Sequence, residues 1–79
     1  MAIKVRVVIL GHSASYFPGG KREHSLELPG PLQIGDVIRR LGADPQLIMR
    51  AQCNDRPASL DDEVVEDAEI ILFSPTAGG

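Results

Sequence analysis

The chain has 79 residues, room for one domain of ordinary size and no second. Hydrophobic residues at 43% against 24% charged match a globular protein, which excludes a disordered chain or a fibrous repeat. Eight Lys and Arg against eleven Asp and Glu give a net charge of -3, and two Phe, one Tyr and no Trp supply no stacking platform, so neither duplex nor single-stranded nucleic acid is an expected partner.

From Ala2 to Leu10 the residues are rich in β-branched types. Ile3, Val5, Val7 and Ile9 fall on one face and Lys4, Arg6, Val8 and Leu10 on the other, which predicts a strand. The second face turns apolar after Arg6, as in a central strand with neighbours on both edges and a cover on one side. Residues 11–22, with Pro18-Gly19-Gly20, have the chemistry of a long hairpin loop, and Glu23 to Leu28 alternates again as the return strand. Pro29-Gly30-Pro31 stops it. Ile34, Val37, Ile38 and Leu41 then recur at helical spacing, with Asp36 in the first turn, Arg39 and Arg40 in the last, and Gly42 where a left-handed C-terminal cap belongs. Leu41 is expected to anchor this helix in the core.

Leu47, Met49, Ala51 and Cys53 alternate with Arg50, Gln52 and Asn54, interrupted by Ile48, which predicts a strand over residues 47–54 closed by a turn at Asn54-Asp55-Arg56-Pro57. A short apolar piece, Ala58 to Leu60, leads into acidic residues from Asp61 to Glu69 that read as surface turns. Ile70-Ile71-Leu72-Phe73 is a fully buried strand candidate, stopped by Ser74-Pro75. Strand, strand, helix, strand, short strand, strand in a chain of this size calls for an α+β fold of the β-grasp type, a mixed sheet of about five strands with one main helix across one face. The expected organisation is a β-grasp domain over residues 1–75 and a flexible tail over residues 76–79.

Little in the chain has the makings of a catalytic site. Cys53 is the sole cysteine, so no disulfide framework or thiolate metal cage is expected, and a reducing, cytoplasmic home follows. On the apolar side of its strand it reads as a small hydrophobe. His12 and His24 flank the first hairpin without a third ligand, so they read as solvated histidines and no metal site is expected. Pro18-Gly19-Gly20-Lys21 resembles part of a phosphate loop, yet Ser15 and Arg22 stand where Gly and Ser or Thr are needed, so any ATP chemistry falls to a partner. No run has the length or apolarity of a signal peptide or membrane span. The acidic run 61–69 is either a docking surface for a basic partner or a solvated face.

Thr76-Ala77-Gly78-Gly79 is a different case. Without Cβ atoms, Gly78 and Gly79 can enter a narrow channel, and four residues reach roughly 14 Å when extended, enough to place a carboxylate inside a neighbour's active site. The two readings are a reactive tail and an inert chain end.

These residues resemble the ubiquitin-like sulfur carriers, the family of the small subunit of molybdopterin synthase (MoaD) and of the thiamine-pathway carrier ThiS. The resemblance covers nearly the whole chain and rests on Asn54, Leu60, Val64, Glu69-Ile70 and, most specifically, the ending Leu72-Phe73-Ser74-Pro75-Thr76-Ala77-Gly78-Gly79. It implies a β-grasp fold and a protein that is a substrate, not an enzyme. Gly79 would be adenylated with ATP by a ubiquitin-activating-type adenylyltransferase, and a sulfur donor would convert it to a thiocarboxylate. No cofactor would be bound. Gly78 would keep the tail thin, with Ala77 and Thr76 completing it, and Phe73 and Pro75 would meet partners, although Phe73 is equally a core candidate. The final partner would be the large synthase subunit, or a thiazole synthase if the carrier is of the ThiS type. A protein modifier, joined through Gly79 to target lysines, uses the same activation. Ser74 stands for the first of a Pro pair common in the molybdopterin subunit, while Pro75 and the long first hairpin favour that subunit. The family's turn before the last strand usually reads Asp-Gly-Asp, and here Glu66-Asp67-Ala68 stands in its place, which predicts a left-handed backbone at Asp67.

Overall fold

The computed structural model describes residues 2–48 and 50–73. Strand β1 (Ile3–Ile9) runs antiparallel to β2 (Glu23–Leu28) and parallel to β7 (Ala68–Phe73). Between β2 and β7 come β3 (Leu32–Gln33), the helix α1 (Ile34–Arg40), β4 (Arg50–Cys53), β5 (Arg56–Ala58) and β6 (Glu63–Val64). Two antiparallel pairings, β7 with β4 and β4 with β5, complete a mixed sheet of order β2-β1-β7-β4-β5, while β3 and β6 form a separate two-stranded ladder. β1 is central, as the apolar turn of its second face predicts. Ile3, Val5, Val7 and Ile9 are all buried on the helix side, where they meet Leu28, Ile34, Val37, Ile38, Ile70 and Leu72.

The start of α1 has no side-chain cap. Its first free donors go to backbone carbonyls of the long loop, Ile34 N–H to Asp62 O and Gly35 N–H to Leu60 O, both at 2.9 Å. At the other end Gly42 takes φ +91° and its N–H bonds Arg39 O at 2.9 Å, the predicted left-handed cap. Leu41 is the C-cap residue and lies half-buried at the margin of the core, so the helix anchor is the fully buried Ile38 rather than Leu41.

Several sequence expectations need correction. Residues 11–22 are the predicted hairpin loop, but within it Gly11–Tyr16 and Pro18–Gly20 form 3-10 turns that bury Ala14 and Phe17, extending a core that one short helix cannot fill. The strand predicted over residues 47–54 does not include Leu47 or Ile48. Pro45 and the Asp44 carboxylate, which accepts from Gln46 N–H at 2.9 Å, impose a 3-10 turn at Pro45–Leu47, so Ile48 is buried and Leu47 exposed, the reverse of the alternation. Met49 lies outside the described residues. The turn after β4 is shorter than predicted: Asn54 and Asp55, at φ +51° and +67°, supply the left-handed pair of a two-residue hairpin, which frees Arg56-Pro57-Ala58 to be β5.

The acidic stretch is likewise more than surface turns. Val64 is buried, and Glu63–Val64 pairs with Leu32–Gln33. Asp67 does not take the left-handed conformation. Its Oδ1 instead accepts the Lys4 N–H at 2.8 Å, tying the end of the loop to the start of β1. Finally, only Ile70 and Leu72 of the last strand are fully buried. Ile71 and Phe73 are half-buried on the opposite face, because a single helix covers one side of the sheet and not the other.

Candidate functional site

β1 and β7 run side by side in the same direction, so their C-terminal ends lie together at one end of the sheet. The chain leaves β7 there, at Phe73. On the face away from α1, Val8 stands beside Ile71, Ile71 beside Gln52, and Phe73 beside Arg50. Val8, Ile71 and Phe73 are half-buried. Leu10 continues the alternation of β1 in an extended conformation, held by its N–H to Leu72 O at 2.9 Å, and is 47% exposed. Four apolar side chains thus share one end of the open face with Arg50 and Gln52. An apolar patch with a polar margin is the composition of a protein-binding surface.

The other end of the same face is charged. Arg6 donates to the Glu23 carboxylate at 2.7 Å across to β2 and stands 3.8 Å from Glu69 across to β7, and the bond to Glu23 followed by its charge raises the guanidinium further above its ordinary value. All three side chains are well exposed, so the network sets the charge pattern more than the stability. Asn54 locks the neighbouring turn: its N–H bonds Glu69 O and its side-chain oxygen accepts Glu69 N–H, both at 2.9 Å.

Of the residues singled out in the sequence, Phe73 is placed by the structure at the tail end of the apolar patch, facing away from the core. Pro75, Thr76, Ala77, Gly78 and Gly79 lie outside the described residues, so the expected tail 76–79 does too. Val8, Leu10 and Ile71 were not singled out for partner contact. Their signal was nonetheless present, in the apolar turn of the second face of β1 after Arg6 and in the unbroken apolar run 70–73.

Cys53 is half-buried at the end of β4. Burial first, then the nearby charges of Asp62 and Glu66, push its thiol above the usual value, which disfavours the nucleophilic thiolate. His24 is not simply solvated. It is half-buried, with its ring 5.6 Å from that of Phe17 and its Nε2 3.0 Å from Lys21 O. The side chain of His12 lies outside the described residues. Among the described residues no three His, Cys, Asp or Glu side chains gather as a metal site, and no helix is long and apolar enough to cross a membrane. In the acidic run, Asp62 Oδ2 accepts Ser59 N–H at 2.8 Å and Asp67 Oδ1 accepts Lys4 N–H at 2.8 Å, so these two carboxylates hold the loop in place.

No protein-family model matches the sequence, and no curated protein matches it. Solved structures do. Small archaeal modifier protein 1 from Haloferax volcanii superposes with a TM-score of 0.72 at 20% identity, over 96% of this chain and 99% of that one. A Pyrococcus furiosus protein provisionally assigned as molybdopterin converting factor, subunit 1 gives 0.68 at 20% identity, over 94% and 99%. A third structure, of another Haloferax volcanii protein, gives 0.69 at 14% identity, over 99% and 88%. At such identities the likeness is one of architecture: this chain has the β-grasp α+β fold, in common with a small archaeal modifier protein and a molybdopterin converting factor subunit.

Proposed function

We propose that this protein is a cytoplasmic sulfur carrier, activated at the carboxylate of Gly79 and serving as the small subunit of a molybdopterin synthase. The observation that carries the reading is the course of β7. It leads the chain out at Phe73, beside Val8, Leu10 and Ile71, with Gly78-Gly79 five to six residues further on. An activating enzyme that seats on the apolar patch would then have the glycines within reach of its nucleotide.

The chemistry follows from the weakness of a carboxylate as an electrophile. A terminal carboxyl with pKa near about 3.5 is ionised at neutral pH and resists nucleophiles. Attack of a carboxylate oxygen on the α-phosphorus of ATP expels pyrophosphate and leaves an acyl-adenylate, whose carbonyl carbon can be attacked with AMP as leaving group. Sulfide from a donor then attacks that carbonyl carbon, AMP leaves, and the thiocarboxylate remains. Apart from that reacting carboxylate the carrier contributes no catalytic group, so in this reading it is a substrate and the non-catalytic subunit of its complex, with ATP bound by the partner. The large synthase subunit completes the pathway, or a thiazole synthase if the carrier is of the ThiS type.

The resemblance in fold to small archaeal modifier protein 1 favours one second reading, in which a lysine amine displaces AMP and an isopeptide forms. Intact mass after incubation with ATP, a sulfide source and a ubiquitin-activating-type enzyme separates the two. The expected result is exchange of one oxygen for sulfur, lost on deletion of Gly79 with thermal stability unchanged. Adducts to lysines of other proteins would establish the modifier instead, and neither product with a competent enzyme would sink both readings.

A further inference from the structure

The two edges of the five-stranded sheet differ. β5 is three residues long, and its middle residue, Pro57, has no N–H to offer a further strand. β2 is six residues long, contains no proline and keeps unbroken register against β1 from Glu23 to Leu28. Among the described residues β1 is its only sheet partner. Ile9 N–H donates to Arg22 O at 2.7 Å, which sets the alternation of the ladder. His24, Leu26 and Leu28 turn their backbone groups toward β1, and Glu23, Ser25 and Glu27 turn theirs outward.

We propose that the outer edge of β2 is a strand-addition site for an extended segment of a protein partner that carries Lys or Arg at alternate positions. The outward N–H and C=O groups of Glu23, Ser25 and Glu27 supply the ladder. Charge supplies the choice of partner. Glu23 and Glu27 stand on the open face of this edge, and no ion pair among the described residues engages Glu27. A groove of about 690 Å³ opens beside Ser25 and Glu27, and within it Asp67 and Glu69 stand with Glu27 against Lys4 and Arg6. Arg6 is already paired with Glu23 and Glu69, so the balance left for an incoming side chain is acidic. On the other face Leu26 is half-buried at the core margin, where an apolar side chain of the added strand would cover it.

A second copy of this chain fits the edge poorly. The longest antiparallel overlap of two β2 strands that brings their outward groups together centres on Ser25. It sets Glu23 of each copy opposite Glu27 of the other, and like charges directly opposite are destabilising. The partner is therefore a different, basic strand. This site does not depend on the chemistry of Gly79.

The test is amide NMR of the full chain titrated with an acetylated, amidated peptide of alternating Val and Lys, in parallel with the same peptide bearing Glu for Lys. With the basic peptide, the Glu23, Ser25 and Glu27 amides should shift and exchange more slowly with solvent, and the acidic peptide should leave them unchanged. Glu27→Lys should weaken the basic peptide about tenfold, since a cross-strand attraction becomes a repulsion. Ser25→Pro, which removes the central outward donor, should abolish binding, and Glu27→Lys carries the test alone if that variant does not fold. Unchanged β2 amides at millimolar peptide, equal binding of both peptides, or shifts confined to the acidic loop 61–69 would overturn the proposal.

Discussion

The contact between Gly42 and Pro18 joins the end of the helix to the loop between β1 and β2, and Gly42→Ala perturbs it in two separable ways. The first is conformational: Gly42 sits at φ +91°, and a Cβ in the left-handed region costs about 1–2 kcal/mol. The second is steric, because that Cβ would lie 2.9 Å from Cγ of Pro18. Overpacking of this kind costs about 1–3 kcal/mol. A domain of 79 residues has about 4–12 kcal/mol of stability in total, so a loss of about 2–5 kcal/mol is a large part of it. At about 4–8 °C per kcal/mol, Tm should fall by at least about 8 °C. Pro18→Ala removes the ring and, with it, the steric part alone. Urea titration of the wild type, both single variants and the double variant should therefore show a coupling of about 1–3 kcal/mol, with the double variant more stable than the sum of the singles predicts. Additivity within about 0.5 kcal/mol would refute the packing of Pro18 on Gly42. A neutral Gly42→Ala would refute the left-handed cap itself.

Other substitutions probe the core and the open face. Ile38→Ala should cost about 2–5 kcal/mol by denaturant titration and Leu41→Ala less, because Ile38 is fully buried and Leu41 is only half-buried; equal losses would count against this placement of the helix. Ser13→Ala should leave stability unchanged or raise it, since Ser13 Oγ is buried with no hydrogen-bond partner among the described residues; a clear loss would reveal a bond to the hydroxyl. Alkylation of Cys53 by iodoacetamide in the folded protein should be slower than that of a free thiol at mildly alkaline pH. The raised pKa leaves the folded state holding the proton longer, so this group's stabilisation is present below the unfolded pKa and declines as pH rises toward the folded one. Phe73→Ala should raise the KM for adenylation severalfold while Tm changes little, whereas a KM that moves only with unfolding would make Phe73 a core residue.

The β-grasp order, the central place of β1, the helix face and the cap at Gly42 were legible because each has a local cause: alternation of two, recurrence near 3.6, and a backbone conformation suited to glycine. The misread elements depend on partners distant in sequence. Nothing in Glu63-Val64 alone indicates that Leu32-Gln33 will pair with it, and without that pairing Val64 reads as a surface residue. Asp44 and Pro45 carry a local turn signal, yet the alternation that follows from Leu47 pointed to a strand; the turn shifts the buried position to Ile48. Asp67 was assigned a left-handed backbone by analogy with a glycine turn, whereas its carboxylate finds the Lys4 amide 63 residues away. Of the candidate site, the glycines lie outside the described residues, and the place of Phe73 at the end of the last strand was readable from sequence order. The apolar patch was not, because it needs β1, β7 and β4 in register.

One helix over a five-stranded sheet leaves a whole face to be disposed of, and this chain divides that face. Val8, Leu10, Ile71 and Phe73 gather at the end where the chain leaves β7, while Lys4, Arg6, Glu27 and Glu69 occupy the other. In the proposed function an activating enzyme, a sulfur donor and a final acceptor all need the same glycine. A tail of small residues offers each of them nearly the same contacts, so it cannot tell them apart, and discrimination between partners rests on a difference in affinity that only side surfaces can supply. The patch lies where the chain leaves β7 at Phe73, so in the proposed function a partner that handles Gly79 would meet it. The outer edge of β2 is separated from β7 by β1 and is shielded by no proline, so a partner could hold it without covering the tail. If both surfaces act as argued, a basic strand bound to β2 should leave adenylation of Gly79 intact, while substitutions at Phe73 should impair adenylation without weakening the strand.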